Sequence, residues 1–186
     1  MNAIRITAVA LMLGSLVLGA SPARADLKSE VNYAVGVLER MPPGTISKEV
    51  LAKAHGLVIV EWFKIGAGLG VAGGQGVVVA RTPSGWSPPS GIGAGALSFG
   101  VQFGARSSDV VFVLNTPAAV EAFAKGSFDF GAEASVALMK WGAMSSAGVT
   151  SDAAVLVYGD TLGLFGGASL DGGYIGVRDK DNEKAY

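Results

Sequence analysis

Apolar residues recur through Asp26–Arg40 at Leu27, Val31, Ala34, Val35 and Leu38. Their spacing of three to four residues predicts an amphipathic helix. The polar positions mix Lys28, Glu30, Glu39 and Arg40, so this helix is expected to pack on a core and lacks the cationic face of a membrane-surface helix. Pro42-Pro43-Gly44 ends it. Ser47 then caps a short second helix, with Ile46 and Leu51 spaced as a hydrophobic staple. Gly56, after Lys53 and His55, reads as a glycine stop.

At Leu57 the period changes. Two β-type runs, Leu57–Val60 and Val77–Ala80, flank a glycine-dense crossing, and valine and isoleucine favour a pleated, buried surface. Thr82-Pro83-Ser84-Gly85 turns the chain into Trp86-Ser87-Pro88-Pro89-Ser90, which reads as a rigid turn. Leu97, Phe99, Val101 and Phe103 alternate with Ser98, Gly100, Gln102 and Gly104, as along a strand. The unbroken apolar run Asp109–Leu114 predicts a strand buried on both faces. Thr116-Pro117 opens a helix with proline at its first position, running to Lys125 before Gly126. Phe128 to Leu138 alternates again, and strands follow at Ala153–Tyr158, Leu162–Leu170 and Tyr174–Arg178.

Some eight strands joined by short turns, with three helices, make an α+β fold. The expected architecture is a strongly curved antiparallel β-sheet or small β-barrel with about three packed helices. Glycines inside the strands, Gly100, Gly104 and Gly176 among them, point to sharp bending or close packing.

The first 25 residues carry Arg5, an apolar stretch from Ile6 to Leu18, and small residues at Ala23 and Ala25. They read as an export signal, interrupted too early by Ser21-Pro22 for a spanning helix. Residues 26–186 then form the expected single domain, exported to a periplasmic or extracellular location. Losing Arg5 and Arg24 takes 14 basic residues to 12 against 15 acidic ones, moving the formal net charge from −1 to −3. That balance offers nucleic acid no electrostatic footprint. The absence of cysteine excludes disulfides, thiolate metal sites and thiol catalysis.

Little in the chain carries chemistry. Gly68-Leu69-Gly70-Val71-Ala72-Gly73 matches the dinucleotide pattern but leads into the β-type run at Val77, whereas that site requires a helix. His55 is the single histidine. It cannot make a multi-histidine metal site and has no nucleophile-elbow motif beside it, so it is read as a helix-end histidine. No metal, cofactor or enzymatic activity is expected. Lys64, Arg81, Arg106 and Lys140 are isolated cations among apolar or aromatic neighbours, Trp62 beside Lys64 and Trp141 beside Lys140. Tryptophan prefers a membrane interface, which makes the four cations candidates for lipid headgroup contact and Trp62 and Trp141 candidates for interface aromatics. The alternative is ordinary snorkelling of side chains with buried stems.

Eight blocks then fall in order: Gly56–Val60, Lys64–Gly68, Gly76–Arg81, Gly85–Ser90, Phe99–Gly104, Asp109–Asn115, Gly163–Leu170 and the terminal Asn182 to Tyr186. Together they resemble the SYLF (Ysc84-type) lipid-binding domain family, from about Ile46 to the end of the chain. The resemblance implies phospholipid binding, a β-rich domain with packed helices, and no catalysis. Actin binding, which some relatives have, is not expected here because of the export signal and the absence of an SH3 domain. Two alternatives remain at this stage. One is an integral outer-membrane β-barrel, opposed by the charged segment Asp179–Lys184 before Tyr186. The other is a His55-dependent hydrolase.

Overall fold

The computed structural model describes residues 26–126, 128–129, 136–140, 153–160 and 174–186, excepting the side chains of 64–71, 96–106, 128–129, 136–140, 174 and 181. The expected export signal, Trp141 and the strand Leu162–Leu170 lie outside the described residues.

Three helices begin where side-chain oxygens cap their free N–H groups. Asp26 accepts from the Ser29 N–H at 2.7 Å and opens α1 (Leu27–Arg40). Ser47 accepts from Val50 N–H at 3.3 Å and opens α2 (Lys48–Lys53). Thr116 accepts from Ala119 N–H at 3.1 Å, with Pro117 next to it, and opens α3 (Pro117–Ala124). Gly126 ends that helix at φ +64°, a conformation glycine adopts at little steric cost. A fourth helix, α4 (Asp179–Asn182), forms within the charged segment before Tyr186.

The two β-type runs around the glycines belong to one continuous strand, β1 (Gly56–Thr82). It pairs antiparallel with β3 (Ser90–Leu114) from Gly56 opposite Leu114 to Val78 opposite Ser90, with one register shift between Ala67 and Gly68. The short β2 (Gly85–Trp86) completes the turn between them. Straightened, the 27 residues of β1 would span about 90 Å. Yet Arg81 N–H donates to the His55 carbonyl, just before the strand begins, at 2.7 Å. The β1–β3 ribbon therefore curls until its ends meet, and the two halves of β1 cross. Glycine makes the crossing possible. A Cβ at Gly76 would run into the Ile59 carbonyl oxygen and stand 2.8 Å from Val60 Cα, and one at Gly74 would stand 2.6 Å from Val60 Cγ1.

Curvature is thus as expected, and among the described residues the sheet does not close into a barrel. Among the described residues the strands make one open sheet in the order β2-β1-β3-β6-β5. Here β5 is Val136–Lys140 and β6 is Val155–Gly159. The strands β4 (Phe128–Asp129) and β7 (Tyr174–Val177) pair with each other, and β7 pairs with the start of β3. One pair departs from the antiparallel rule, since β5 runs parallel to β6.

The strand Asp109–Leu114 is buried on both faces, as its unbroken apolar run predicted. Val110, Phe112 and Leu114 join Val58, Val60 and Trp62 in one core, capped by α3, whose Phe123 ring centroid lies 5.7 Å from that of Phe112. Val111 and Val113 join Ile59, Val77, Leu156 and Tyr158 in the other, covered by α1.

Two local expectations are corrected. Gly56 is not a left-handed helix stop. Ala54 ends α2 in extended conformation, and Gly56 is small because a Cβ would stand 3.0 Å from Val120 Cγ2 and 3.2 Å from the Val79 carbonyl oxygen. The helix α1 is also rotated from its apolar stripe. It buries Leu27, Glu30, Ala34 and Val37, leaving Val35 49 % and Leu38 42 % exposed. On that buried face the Glu30 carboxylate forms an ion pair with Arg178, which follows β7.

Candidate functional site

Register decides which candidate cations meet. Lys64 on β1 lies directly opposite Arg106 on β3. Lys140 on β5 lies opposite Gly159, and Gly159 opposite Val110, four residues along β3 from Arg106. In an unbent sheet that puts Lys140 about 13 Å along the strand and about 10 Å across from Arg106. These three cations therefore share one end of the sheet. Arg81 lies at the other end, beside His55.

Arg81 is committed to the fold. Its Nη2 donates to the Leu51 carbonyl at 3.0 Å, which also accepts from the Ala54 N–H at 3.3 Å, and its guanidinium stacks 4.1 Å from the Trp86 ring centroid. The adjacent turn is structural too: Ser87 N–H donates to the Ala80 carbonyl at 2.8 Å, and Ala80 N–H donates to Ser87 Oγ at 3.0 Å. His55 serves through its backbone, donating to the Leu114 carbonyl at 2.8 Å and accepting from Arg81, while its residue stands exposed.

Trp62, expected at a membrane interface, is 3 % exposed and packs inside the α3-side core. Its neighbour Phe63 holds the accessible position instead, at 38 % exposure. Alternation gives the reason: Val58, Val60 and Trp62 share one pleat face, and Phe63 falls on the other. Beyond it, the ribbon has no ionisable residue between Lys64 and Arg81 on β1, nor between Ser90 and Arg106 on β3. Lys64 and Arg106 thus bound an apolar, glycine-rich stretch of ribbon.

Three residues from that pair stands an acidic one, Glu61 opposite Asp109. Asp109 is neutralised in place, accepting from the Tyr33 hydroxyl at 2.6 Å and from Arg40 Nη2 at 3.1 Å. Burial, reinforced by the hydrogen bond to the Asp109 carboxylate, holds the Tyr33 hydroxyl well above its ordinary pKa. Ser107 Oγ donates to Glu61 at 3.2 Å. Among the described residues no three His, Cys, Asp or Glu side chains gather as metal ligands, and no helix is long and apolar enough to cross a membrane.

Sequence reasoning missed the clasp that ties α1 and the start of β3 to the segment 178–186. Besides the Glu30–Arg178 pair, Gly91 N–H donates to Asn182 Oδ1 at 2.7 Å, and the Tyr186 hydroxyl donates to the Pro89 carbonyl at 2.7 Å. The terminal Asn182 to Tyr186 block was the available signal. Its partners lie too far away in sequence to be read.

Residues 95–186 match the family described as Ysc84, Las17-binding protein actin regulator. The chain is 39 % identical over 178 residues to the human SH3 domain-containing YSC84-like protein 1, covering 89 % of this chain and 52 % of that one. It is 37 % identical to the Xenopus laevis protein of the same name, covering 89 % and 53 %. To LAS seventeen-binding protein 3 of Saccharomyces cerevisiae it is 35 % identical over 180 residues, covering 89 % and 39 %. The chain thus spans about half the length or less of these relatives. No solved structure matches it. With the curved α+β sheet expected of such a domain and the Ysc84 match over its C-terminal half, the chain belongs to the SYLF (Ysc84-type) family.

Proposed function

We propose that this is a non-enzymatic, exported domain that binds anionic phospholipid at a membrane surface, through the end of the sheet that carries Lys64, Arg106 and Lys140. One observation carries the reading: a charge-free, apolar ribbon is bounded on both strands by cations that are cross-strand partners. Apolar surface next to cations suits the boundary between acyl chains and headgroups. Vesicle flotation tests it. The protein should float with vesicles containing anionic lipid and stay behind with purely zwitterionic ones. Binding should weaken as salt shortens the Debye length from about 10 Å at 0.1 M. Flotation independent of both lipid charge and salt would overturn the electrostatic part of the reading.

The description of the matched family favours a second reading, participation in actin assembly. Co-sedimentation with actin filaments tests it. Pelleting of the protein with filaments would support that reading, and its absence would leave the membrane as the proposed partner.

A further inference from the structure

Helix α1 divides its side chains between the fold and the solvent, and those left to the solvent have a pattern of their own. Leu27, Ala34 and Val37 fill the core that α1 covers. Two of its charges are also taken up within the fold, Glu30 by Arg178 and Arg40 by Asp109. The outer side keeps Lys28, Asn32, Val35, Leu38 and Glu39, all exposed, with Val31 half-buried beside them. Among the described residues, Lys28 and Glu39 make no ion pair. Neither charge serves the helix itself. Lys28 stands in its first turn and Glu39 in its last, the reverse of what the helix dipole favours.

Lys28, Asn32, Val35 and Glu39 are spaced 4, 3 and 4, which sets them in one line along the helix. Val31 and Leu38 lie along one side of that line. We infer that this face joins two copies of the chain about a two-fold axis, with their α1 helices antiparallel. So arranged, the line matches itself. Lys28 of each copy meets Glu39 of the other, and the apolar trio Val31, Val35 and Leu38 of each covers that of the other. Such a self-complementary patch is what a two-fold pair requires. A parallel arrangement would set lysine against lysine and glutamate against glutamate, which repulsion opposes. The same charges decide the occupant. An anionic membrane would meet one cation and one anion here, with no net attraction, whereas a second copy satisfies both. The pairing lies outside the membrane reading and does not rest on it.

The 14 residues of α1 measure about 21 Å. One such helix from each copy buries less than the roughly 1,200 Å² at which standard interfaces begin. Association is therefore weak, with a dissociation constant between about 1 μM and 1 mM.

Sedimentation equilibrium of the protein over that concentration range tests the pairing. The wild type should fit a monomer–dimer equilibrium. Val35→Ser with Leu38→Gln should weaken it by at least about tenfold, through lost apolar burial. Lys28→Glu and Glu39→Lys should each weaken it by about tenfold, since two-fold symmetry makes every change act twice. Joined in one chain, the two reversals restore opposite charges across the contact and should bring association back to within about threefold of the wild type. At dilutions where the wild type is monomeric, the reversals should melt no lower than it does, because each follows the helix dipole.

A monomer at every concentration would overturn the inference. If Val35→Ser with Leu38→Gln then also abolished vesicle flotation, the face would belong to lipid. Association that survives that variant would belong to another surface and overturn the inference too. So would a double reversal that associates as weakly as the single ones.

Discussion

Gly76 shows what one absent methyl group allows. With Ile59 and Val60 backbone lying against its Cα, Gly76→Ala must push the two halves of β1 apart. The expected cost is about 3 kcal/mol or more, at the upper end for overpacking. Gly93→Ala, where a Cβ would meet only the Arg178 side chain at 3.6 Å, should be close to neutral. Urea unfolding of both variants checks this, and equal losses would contradict the crossing. Composition made the glycines visible, but only the crossing shows which ones are obligatory, because the backbone that Gly74 and Gly76 meet is 13 to 17 residues away along the same strand. At Tyr33 the consequence is pH-dependent. Its folded-state pKa is raised, so the neutral phenol is favoured by folding. That stabilisation is fully present below the unfolded value of about 10 and is lost as pH rises past it. Tyr158, buried, acts in the same direction. Tyr33→Phe should cost about 1 kcal/mol at neutral pH and flatten the alkaline decline. Phenolate absorbance followed together with unfolding would show the difference, and an unchanged alkaline limb would refute it.

Among the elements, helices were the most legible, because Asp26, Ser47 and Thr116 act within three residues of themselves. What those signals could not convey was rotation. The apolar stripe of α1 argued for burying Val35 and Leu38, but the buried face carries Glu30, whose partner Arg178 lies 148 residues away. The Glu30 side chain is 3 % exposed and that of Arg178 is 22 % exposed, so the pair is expensive to break from one side. Arg178→Met should destabilise the protein by about 3 kcal/mol, the low end for orphaning a buried charge. Adding Glu30→Leu should recover most of that loss, since an apolar pair of similar volume replaces a buried ion pair at little cost. Thermal melts of the single and double variants decide it. A double variant weaker than Arg178→Met alone would show that the pair contributes more than mutual neutralisation. The strands were legible as segments and not as a sheet. The alternation around Phe99 marked a strand, but nothing local told that β5 would run parallel to β6 or that Lys64 would face Arg106.

For the whole molecule, register sorted four scattered cations into three at one end and a structural Arg81 at the other. A formal net charge of −1 for the full chain supplies no general attraction to an anionic surface, so binding must draw on that local group. Each cation near such a surface contributes about 1 kcal/mol. Lys64→Glu with Lys140→Glu should therefore weaken binding to anionic vesicles by at least about tenfold. The fold should survive, because a glutamate at position 64 turns a repulsive cross-strand pair into an attractive one. Flotation of the folded double variant at low and high salt measures it, and unchanged binding in both would remove these lysines from the mechanism. The clasp between Glu30 and Arg178 also governs time. It closes a loop of nearly the whole described chain, and such distant contacts form late because their loop-closure entropy must be met first. Synthesis runs in the same direction: α1 emerges well before Arg178, Asn182 and Tyr186. Until they arrive, the start of β3 lacks its strand partner β7 and Glu30 of α1 lacks its cation. Assembly of this fold consequently waits until the segment that carries Arg178 has been made.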